Sequence, residues 1–304
     1  MMVVKATEAL KQEIYYQWKQ VFSFDDRGSI DFFFRHYFNA DDCYVLLKDN
    51  QMVSALNVFK HDVMFNDKKI RVSYLVGIFT KEEQQGKGYM TELLLEVLDF
   101  LSHQDLFTVL MAYHPSLYEA FGFKTVISRK KVMLTRNMIP QLSTMGITYQ
   151  VSNGDLLRMY QKFTAYFTGY KVRDEAYYAK IKQDLEAQNG KLVAYLENDQ
   201  VLGYMMYTLH TTHIEVSEVV YFNSDTLYRL LNFAASLKDR MDVYVSTAEN
   251  LGKLFPKAVV ENVPFLMARL NDVSLFNELY QVHIHTVQEA FSMAKRPLFF
   301  HEYQ

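Results

Sequence analysis

Several residue types that usually reveal the class of a protein are scarce in this chain of 304 residues. It has one cysteine, Cys43, which excludes an internal disulfide and fits a reducing compartment. No apolar run approaches the ~20 residues that span a bilayer, and Lys11, Gln12 and Glu13 interrupt the region where a signal peptide would be apolar. The net charge is -3, so no basic face for nucleic acid is expected. We therefore expect a cytoplasmic protein without nucleic-acid or membrane partners.

Apolar residues, in contrast, make up 50% of the chain and aromatic residues 15%, which is enough for two folded cores. We predict a first domain over residues 1–138, a second domain over residues 147–280 and a C-terminal tail over residues 281–304. The patterns in the first domain predict helices over 10–21 and 29–38, strands over 43–47, 52–59 and 70–79, a helix over 90–101, a strand over 106–112, a short helix from Pro115 and a final strand pair over 125–134. Cys43 opens one of these strands and is expected to be a packed thiol.

A short repeat relates the two halves of the chain. Residues 47–54 (LKDNQMVS) align without gaps with residues 196–203 (LENDQVLG). Further on, residues 72–79 have a counterpart in residues 216–222, and a helical pattern follows each of them. The halves are therefore interpreted as two copies of one fold. They differ before the helix, where the second copy has Asn223-Ser-Asp-Thr in place of glycines.

The turn before the helix of the first copy has the chemistry of an anion site. Residues 84–89 are Gln-Gln-Gly-Lys-Gly-Tyr. The first amides of a helix have no internal partners and carry the positive end of the helix dipole, and Gly86 and Gly88 allow close approach of a phosphate. Lys87 adds a positive charge. This is not a Walker loop, because Tyr89 stands where Ser or Thr is required, and an ordinary strand-to-helix turn explains the glycines equally well.

The apolar strand, the glycine turn, the helix that starts Met90-Thr-Glu-Leu-Leu-Leu and residues 117–123 (LYEAFGF) together resemble the GNAT acetyltransferase family. The resemblance implies an α/β (α+β) chain of tandem GNAT folds, each a mixed, mostly antiparallel sheet flanked by helices. It also implies acetyl-CoA as the cofactor, with its pyrophosphate at the glycine turn and its pantetheine between splayed fourth and fifth strands. The residues implied to hold CoA are Val76, Gly77, Ile78, Gln84, Gln85, Gly86, Lys87, Gly88, Tyr89, Met90 and Met111.

The resemblance also implies a catalytic residue. Tyr118 matches a family tyrosine that protonates the leaving thiolate of CoA, as a phenol can do when it acts as a general acid. The alternative is a packing tyrosine on a short helix. The sequence departs from the family pattern at Glu83, where the family has Gln or Arg. Because backbone amides do most of the binding, the cofactor site is expected to tolerate this change.

An intact first copy followed by a copy without the phosphate turn resembles the Eis (enhanced intracellular survival) group of N-acetyltransferases. Residues 203–207 (GYMMY) and 265–273 (FLMARLNDV) extend the resemblance to about residue 280. That group continues into a sterol-carrier-like domain whose terminal carboxylate is a proposed base, whereas too few residues remain here for such a domain. The aromatic tail over residues 297–304 either docks into the first domain's cleft with the Gln304 carboxylate or packs on the second domain or a neighbouring subunit.

Acidic residues are the other candidates for binding the acceptor amine. Asp25 and Asp26 lie in the loop between the first two helices, which borders the acceptor cleft in the resembling family, and Glu119 follows the candidate tyrosine. The alternative for Asp25 and Asp26 is a solvated acidic loop or a cap for the helix that starts at Ser29. No metal is expected, because the pairs His210/His213 and His283/His285 come without carboxylate or cysteine at ligand spacing.

The leading functional hypothesis is an enzyme that transfers an acetyl group from acetyl-CoA to a primary amine by direct attack in a ternary complex. The acceptor would be a small-molecule or lysine-type amine. Two alternatives stay open, an aminoacyl transferase of the peptidoglycan type and a non-catalytic acyl-CoA-binding or regulatory module. The sequence also leaves homo-oligomerisation open.

Overall fold

Strands dominate the fold, and across residues 1–24 and 26–302, which the computed structural model describes, they join into one sheet. The strands are β1 (Met2–Lys5), β2 (Cys43–Lys48), β3 (Gln51–Phe65), β4 (Lys68–Thr80), β5 (Phe107–Leu110), β6 (Lys124–Thr135), β7 (Ile147–Thr148), β8 (Tyr170–Lys171), β9 (Gly190–Glu197), β10 (Gln200–Leu209), β11 (Ile214–Val220), β12 (Arg240–Ser246) and β13 (Val259–Leu270). The helices are α1 (Lys11–Val21), α2 (Ser29–His36), α3 (Tyr89–Ser102), α4 (Ser116–Glu119), α5 (Asn153–Thr164), α6 (Glu175–Ala187), α7 (Ser224–Leu237), α8 (Val273–Tyr280) and α9 (Val287–Ser292).

The order of the strands interleaves the two halves of the chain. Neighbours in the sheet run β1-β2-β3-β4-β5-β13-β6-β12-β11-β10-β9-β7, and β8 pairs with β3. Strand β13 of the second half lies antiparallel between β5 and β6 of the first half, and β6 pairs in turn with β12. The predicted strand pair over residues 125–134 is therefore wrong. A single strand runs there, and both of its neighbours come from the second half.

The repeated segments form matching hairpins, β2–β3 and β9–β10. Each turns through two residues with positive φ, Asp49 (51°) and Asn50 (61°) in the first, Asn198 (50°) and Asp199 (62°) in the second. Two-residue hairpin turns of type I′ need left-handed backbone at both positions, and Asn and Asp tolerate it better than other residues with side chains. The repeat in the sequence therefore reflects the same backbone geometry in the two hairpins. The strand pairing as a whole confirms the predicted mixed, mostly antiparallel sheet flanked by helices.

The helices α3 and α7, which follow β4 and β11, each bury one apolar stripe. The buried residues of α3 recur every three or four positions, which is the spacing of one helix face, and so do those of α7. In α3 they include Leu93, Leu94, Val97, Leu98 and Leu101, and in α7 Leu227, Leu230, Leu231, Ala234 and Ala235. Each stripe belongs to its own hydrophobic core. In the described part of the chain, no helix combines the length and apolar character needed to cross a bilayer.

Candidate active site

The glycine turn lies at the end of β4 and the start of α3, as predicted. A short 3-10 turn, Glu82–Gln84, leads into it. Gly86 and Gly88 have φ values of 72° and 82°, in the left-handed region that glycine adopts freely. A β-carbon at either position would meet no atom within 4 Å, so this stretch of backbone borders open space. Gly88 caps α3 without a side-chain hydrogen bond, which leaves the first amides oriented for an anion.

Side chains of the turn hold its shape. Lys87 Nζ donates to the Glu83 carbonyl at 2.9 Å and to Gln84 Oε1 at 3.0 Å. Gln85 Nε2 donates to the Thr80 carbonyl at 3.3 Å. The turn uses Glu83 through its carbonyl, which explains how it forms with a side chain that departs from the family pattern. Gln84 and Gln85 line the large cavity beside the turn, whereas Lys87 contacts the turn itself.

That cavity opens where β4 and β5 diverge. The two strands pair in parallel over residues 72–75 and 107–110, and residues 76–78 and Met111 then line the cavity. Gly77 has a φ of 62° and lies beside a register shift between β3 and β4. A β-carbon there would lie 1.8 Å from Trp18 Cζ2. The indole of Trp18 therefore requires glycine at this point of the cavity wall.

The cavity has a volume of about 1290 Å³, above the ~300–1,000 Å³ of most small-molecule sites. Its walls come from both halves of the chain and from the tail. The first half contributes the glycine turn, the diverging strands and Tyr118. The second half contributes Arg173, Tyr177 and Glu218, and the tail contributes Glu302. A cavity of this size has room for a long ligand together with a second one.

Tyr118 lies on the single turn of α4 and is half-buried against the cavity. Its ring meets Phe123 edge-on, with centroids 6.3 Å apart. Burial raises the pKa of the Tyr118 hydroxyl above its ordinary value, because the charged phenolate is disfavoured away from water. The phenol therefore keeps its proton at neutral pH, as a proton donor must.

A buried ion cluster forms the wall contributed by the second half. The Arg173 side chain is 1% exposed and forms a fork with Glu218, Nη1 to Oε1 at 2.8 Å and Nη2 to Oε2 at 2.7 Å. It also donates to Glu302 Oε1 from Nε at 2.8 Å and from Nη2 at 2.6 Å. Tyr177 donates to Glu302 Oε2 at 2.9 Å and Tyr204 to Glu218 Oε1 at 2.8 Å. Two carboxylates surround this guanidinium, and Lys171 Nζ adds a second positive charge 3.9 Å from Glu302 Oε2, so the charges of this wall balance.

The electrostatics of Glu302 follow from its neighbours. Burial alone raises the pKa of this carboxyl, but the positive charges of Arg173 and Lys171 and the hydrogen bonds that it accepts hold it below its ordinary value. Glu302 is therefore ionised at neutral pH. Its partner Arg173 lies 129 positions away in sequence, so this pair ties the end of the chain to the cavity.

Main-chain hydrogen bonds seat the rest of the tail. Thr168 donates its amide to the Pro297 carbonyl at 2.9 Å and accepts from the Phe299 amide at 2.9 Å. Ser246 Oγ donates to the Leu298 carbonyl at 3.0 Å. The Phe299 ring packs in the hydrophobic core that includes the buried face of α5. Residues 297–302 therefore contact the second half and reach the cavity, while Gln304 lies outside the described residues.

The predicted acidic residues occupy other positions. Asp26 accepts from the Gly28 amide at 3.0 Å through Oδ1 and from Lys19 Nζ at 2.6 Å through Oδ2. Glu119 is exposed and lies 3.6 Å from Lys124 Nζ. Neither belongs to the cavity lining within the described residues, and Asp25 lies outside those residues. The structure thus supports a loop-stabilising role for Asp26.

Cys43 is fully buried at the start of β2. Burial raises the pKa of its thiol to about 12, so the nucleophilic thiolate is suppressed at neutral pH. This agrees with the expected packed thiol.

The second copy has a closed turn at the equivalent point. Asn223 caps α7, and its side chain accepts from the Thr226 amide at 2.8 Å. At Gly203 in β10, a β-carbon would lie 2.6 Å from both Thr226 Cγ2 and the Val220 carbonyl. The helix thus packs directly on the strands, and a capping side chain occupies the place that an anion would take.

The ion cluster of Arg173, Glu218 and Glu302 was not predicted from the sequence. A signal was present in β11, where Glu218 lies between Val216 and Val219, and charged residues are rarely buried unless they are paired. The sequence did not indicate that Arg173 is the partner of Glu218, because the two residues are 45 positions apart.

Comparison with known protein families assigns each half of the chain to a family. Residues 3–126 match a family described as acetyltransferase (GNAT) domain, and residues 169–270 match a second family with the same description. A search of curated proteins gives no match.

Solved structures share the fold over nearly the whole chain. A probable N-acyltransferase of unknown function from Enterococcus faecalis has 16% identity and a TM-score of 0.75, covering 91% of this chain and 74% of its own. A GCN5-related N-acetyltransferase from Anabaena variabilis has 17% identity and a TM-score of 0.75, with coverage of 91% and 74%. Eis1 from Mycobacterium abscessus has 15% identity and a TM-score of 0.69, with coverage of 91% and 75%. The family matches therefore show two GNAT acetyltransferase domains in tandem, and the solved structures, Eis1 among them, share their fold.

Proposed function

We propose that this protein transfers an acetyl group from acetyl-CoA, bound at the first domain, to a primary amine by direct attack in a ternary complex. GNAT domains support acyl transfer in general. The observation that carries the finer proposal is that the Gly86–Gly88 turn and Tyr118 line one cavity. An anion-binding helix start suits the diphosphate of CoA, and a proton-donating phenol suits the thiolate that leaves on acyl transfer.

The cofactor would enter from the turn. Its diphosphate would accept hydrogen bonds from the amides that follow Gly86, where the helix dipole of the 14-residue α3 favours negative charge. Its pantetheine would follow the edge of β4 at residues 76–78 and reach Met111. Backbone amides along that edge would also polarise the thioester carbonyl, whose oxygen gains negative charge as the amine attacks.

Tyr118 would act at the end of that path. The amine nitrogen forms a bond to the carbonyl carbon, and the carbon–sulfur bond breaks with its electron pair on sulfur. The Tyr118 hydroxyl gives its proton to that thiolate, and its raised pKa keeps the proton in place until then. No covalent intermediate on the protein is needed, which fits the buried, inert thiol of Cys43.

The acceptor would occupy the part of the cavity that the second half and the tail enclose. Its wall holds Glu218 and Glu302 around one arginine, and Tyr177 adds an aromatic ring. The aromatic surface favours a cationic amine, while Glu218 and Glu302 are balanced by Arg173 and Lys171. The amine must lose a proton on attack. We propose that a group in the tail accepts this proton, because the tail is anchored in the cavity up to Glu302.

Calorimetry with CoA tests the cofactor site. We expect 1:1 binding to the wild-type protein and loss of binding in Gly86→Asp, which places a negative charge and a strained side chain at the diphosphate. The matched control is Ser224→Asp, which adds the same charge at the start of α7 in the second domain and should leave CoA affinity unchanged. Undiminished binding by Gly86→Asp, or loss in the control alone, would refute the assignment.

Steady-state kinetics with a panel of amines tests the catalytic role. Tyr118→Phe should lower kcat by roughly 10²- to 10⁴-fold and leave the Kd of CoA unchanged, because the ring and its packing are retained. The control is Tyr166→Phe, at an exposed tyrosine of the second half. If wild-type protein binds CoA but acetylates no amine and releases no CoA from acetyl-CoA, the non-catalytic binding module becomes the better assignment.

Two truncations separate catalysis by the tail from its role in folding. Removal of residues 303–304 keeps all the anchoring contacts described above, whereas removal of residues 298–304 also takes away Phe299 and Glu302. We expect the shorter truncation to lower kcat with little change in melting temperature. Full activity in both truncated proteins would eliminate the tail as a source of the base.

A further inference from the structure

Three side chains with metal-ligand chemistry converge at the end of the β10–β11 hairpin. His210, His213 and Glu215 each offer one ligand atom, and these atoms all lie within 4.8 Å of one another. The two histidines flank a tight turn closed by the His210 amide and the His213 carbonyl at 2.9 Å. Their rings stack with centroids 4.3 Å apart. His213 immediately precedes β11 and Glu215 lies within it, two positions further on, a spacing that directs the side chains of extended chain to one face.

The distances leave little rearrangement to form a metal site. His210 Nε2 lies 3.8 Å from Glu215 Oε2, and ligand atoms around a tetrahedral Zn²⁺ lie roughly 3.4 Å apart when the bonds are ~2.0–2.1 Å. The side chains of His210, His213 and Glu215 are 13%, 24% and 26% exposed. An ion can therefore reach them from solvent. Asp242 Oδ2 lies 3.7 Å from His213 Nε2 and can orient that ring.

We propose that His210, His213 and Glu215 bind a divalent transition-metal ion of the zinc type. Imidazole nitrogen and carboxylate oxygen are preferred Zn²⁺ ligands, and two histidines with one glutamate leave a fourth position for water or another ligand. The sequence argument expected no metal because it found no carboxylate beside the histidine pair. Glu215 is that carboxylate, and it is recognisable once His213 and Glu215 are placed on one face of a strand.

Arg27 competes with the ion for one of these ligands. It comes from the loop between α1 and α2, and its Nη1 lies 2.6 Å from His210 Nε2. The same Nη1 also contacts the other ring nitrogen, Nδ1, so neither nitrogen of His210 is open to an ion and ion binding must displace Arg27. Arg27, His210 and Glu215 all line the large cavity. The ion would therefore sit at the rim of the proposed acceptor space and exchange with a loop that borders it.

Calorimetric titration of Zn²⁺ into untagged protein, freed of metal by chelator and dialysis, tests the proposal. We expect one site per chain and at least about tenfold weaker binding in His213→Ala, since loss of even an orienting partner costs about 10- to 100-fold. Arg27→Ala should bind more tightly, because it removes the competitor. His283→Ala is the matched control, a histidine of the other pair, and should bind as the wild type does.

Two further measurements separate the loss of metal binding from the loss of folding. Melting temperatures without metal identify any variant that is unfolded, and visible absorption of added Co²⁺ reports whether nitrogen ligands enter a four-coordinate site. Absence of saturable binding would overturn the proposal, as would equal losses in His213→Ala and His283→Ala. Unchanged affinity in Arg27→Ala would overturn the competition with Arg27. None of these outcomes bears on CoA binding, so the proposed function stands or falls separately.

Discussion

Glu249 provides a pH-dependent test of the structure where the tail is held. Its Oε2 accepts from the Ser246 amide at 2.8 Å, and the Ser246 hydroxyl holds the Leu298 carbonyl of the tail. Burial raises the pKa of the Glu249 carboxyl to about 7, although hydrogen bonds from Ser246 and Tyr221 act in the opposite direction. The folded state therefore favours the protonated form of this side chain.

The sign and the size of the effect follow from this shift. A carboxyl whose folded pKa is about 7 instead of its ordinary 4.5 contributes stability that is fully present below about pH 4.5 and is lost as the pH rises through 7. At about 1.4 kcal/mol for each pH unit, the upper limit is about 3 kcal/mol. The residue as a whole is half-buried, while its Oε1 is shielded from water, so we expect about 2 kcal/mol after solvent screening.

Glu249→Gln makes this side chain neutral at every pH. Relative to wild type, the variant should therefore gain about 2 kcal/mol between pH 5 and pH 8, whatever its stability at pH 5. At roughly 2 °C for each kcal/mol in a chain of this size, the difference in Tm between variant and wild type should shift by about 4 °C. Thermal melts and urea unfolding at pH 5, 6, 7 and 8 measure it.

The control is Glu261→Gln, at an exposed glutamate of β13, which should show no such trend. If the difference between Glu249→Gln and wild type is the same at pH 5 and pH 8, the carboxyl titrates alike in the folded and unfolded chain. The reasoning from its burial would then be refuted.

Two further substitutions test other contacts. Arg173→Met leaves the buried Glu218 without a counter-charge and Glu302 with Lys171 alone, and should lower the free energy of unfolding by about 3–5 kcal/mol. Urea unfolding measures it, and wild-type stability would contradict the ion cluster. Gly77→Ala drives a β-carbon into the Trp18 indole and strains a positive φ, so it should cost at least about 2 kcal/mol. In the same assay its control Gly252→Ala, where the nearest atom is 3.5 Å away, should cost less than Gly77→Ala, and equal losses would contradict the Trp18 contact.

Much of the first domain could be predicted because its signals are local. The hairpin turns at residues 49–50 and 198–199 depend on two residues with left-handed backbone, and their similarity revealed the repeat. The strand, glycine turn and helix around Gly86 and Gly88 lie within a few positions of one another. The apolar stripe of α3 recurs with the period of one helix. Such features depend on neighbours in the chain, so they persist whatever lies opposite in the fold, and the family comparisons confirm the tandem domains that they indicated.

The contacts of individual charged side chains were harder to predict from the sequence. Asp26 was expected near the acceptor, but its two oxygens hold the Gly28 amide and Lys19. Lys87 was expected at the phosphate, and its ammonium instead closes the turn on itself. A charged side chain pairs with whichever opposite charge or polar group the fold brings near it. Its position in the sequence therefore does not indicate which partner it has.

The sequence by itself determined the two GNAT copies, the difference between their helix starts and the positions of the glycine turn and Tyr118. Tertiary structure alone decided that β13 lies between β5 and β6, that Arg173 joins Glu218 and Glu302, and that Arg27 meets His210. A periodic pattern states that a segment is a strand and which face is buried, but not which strand lies beside it. Pairing across 45, 129 or 183 positions is set by the packing of the whole chain.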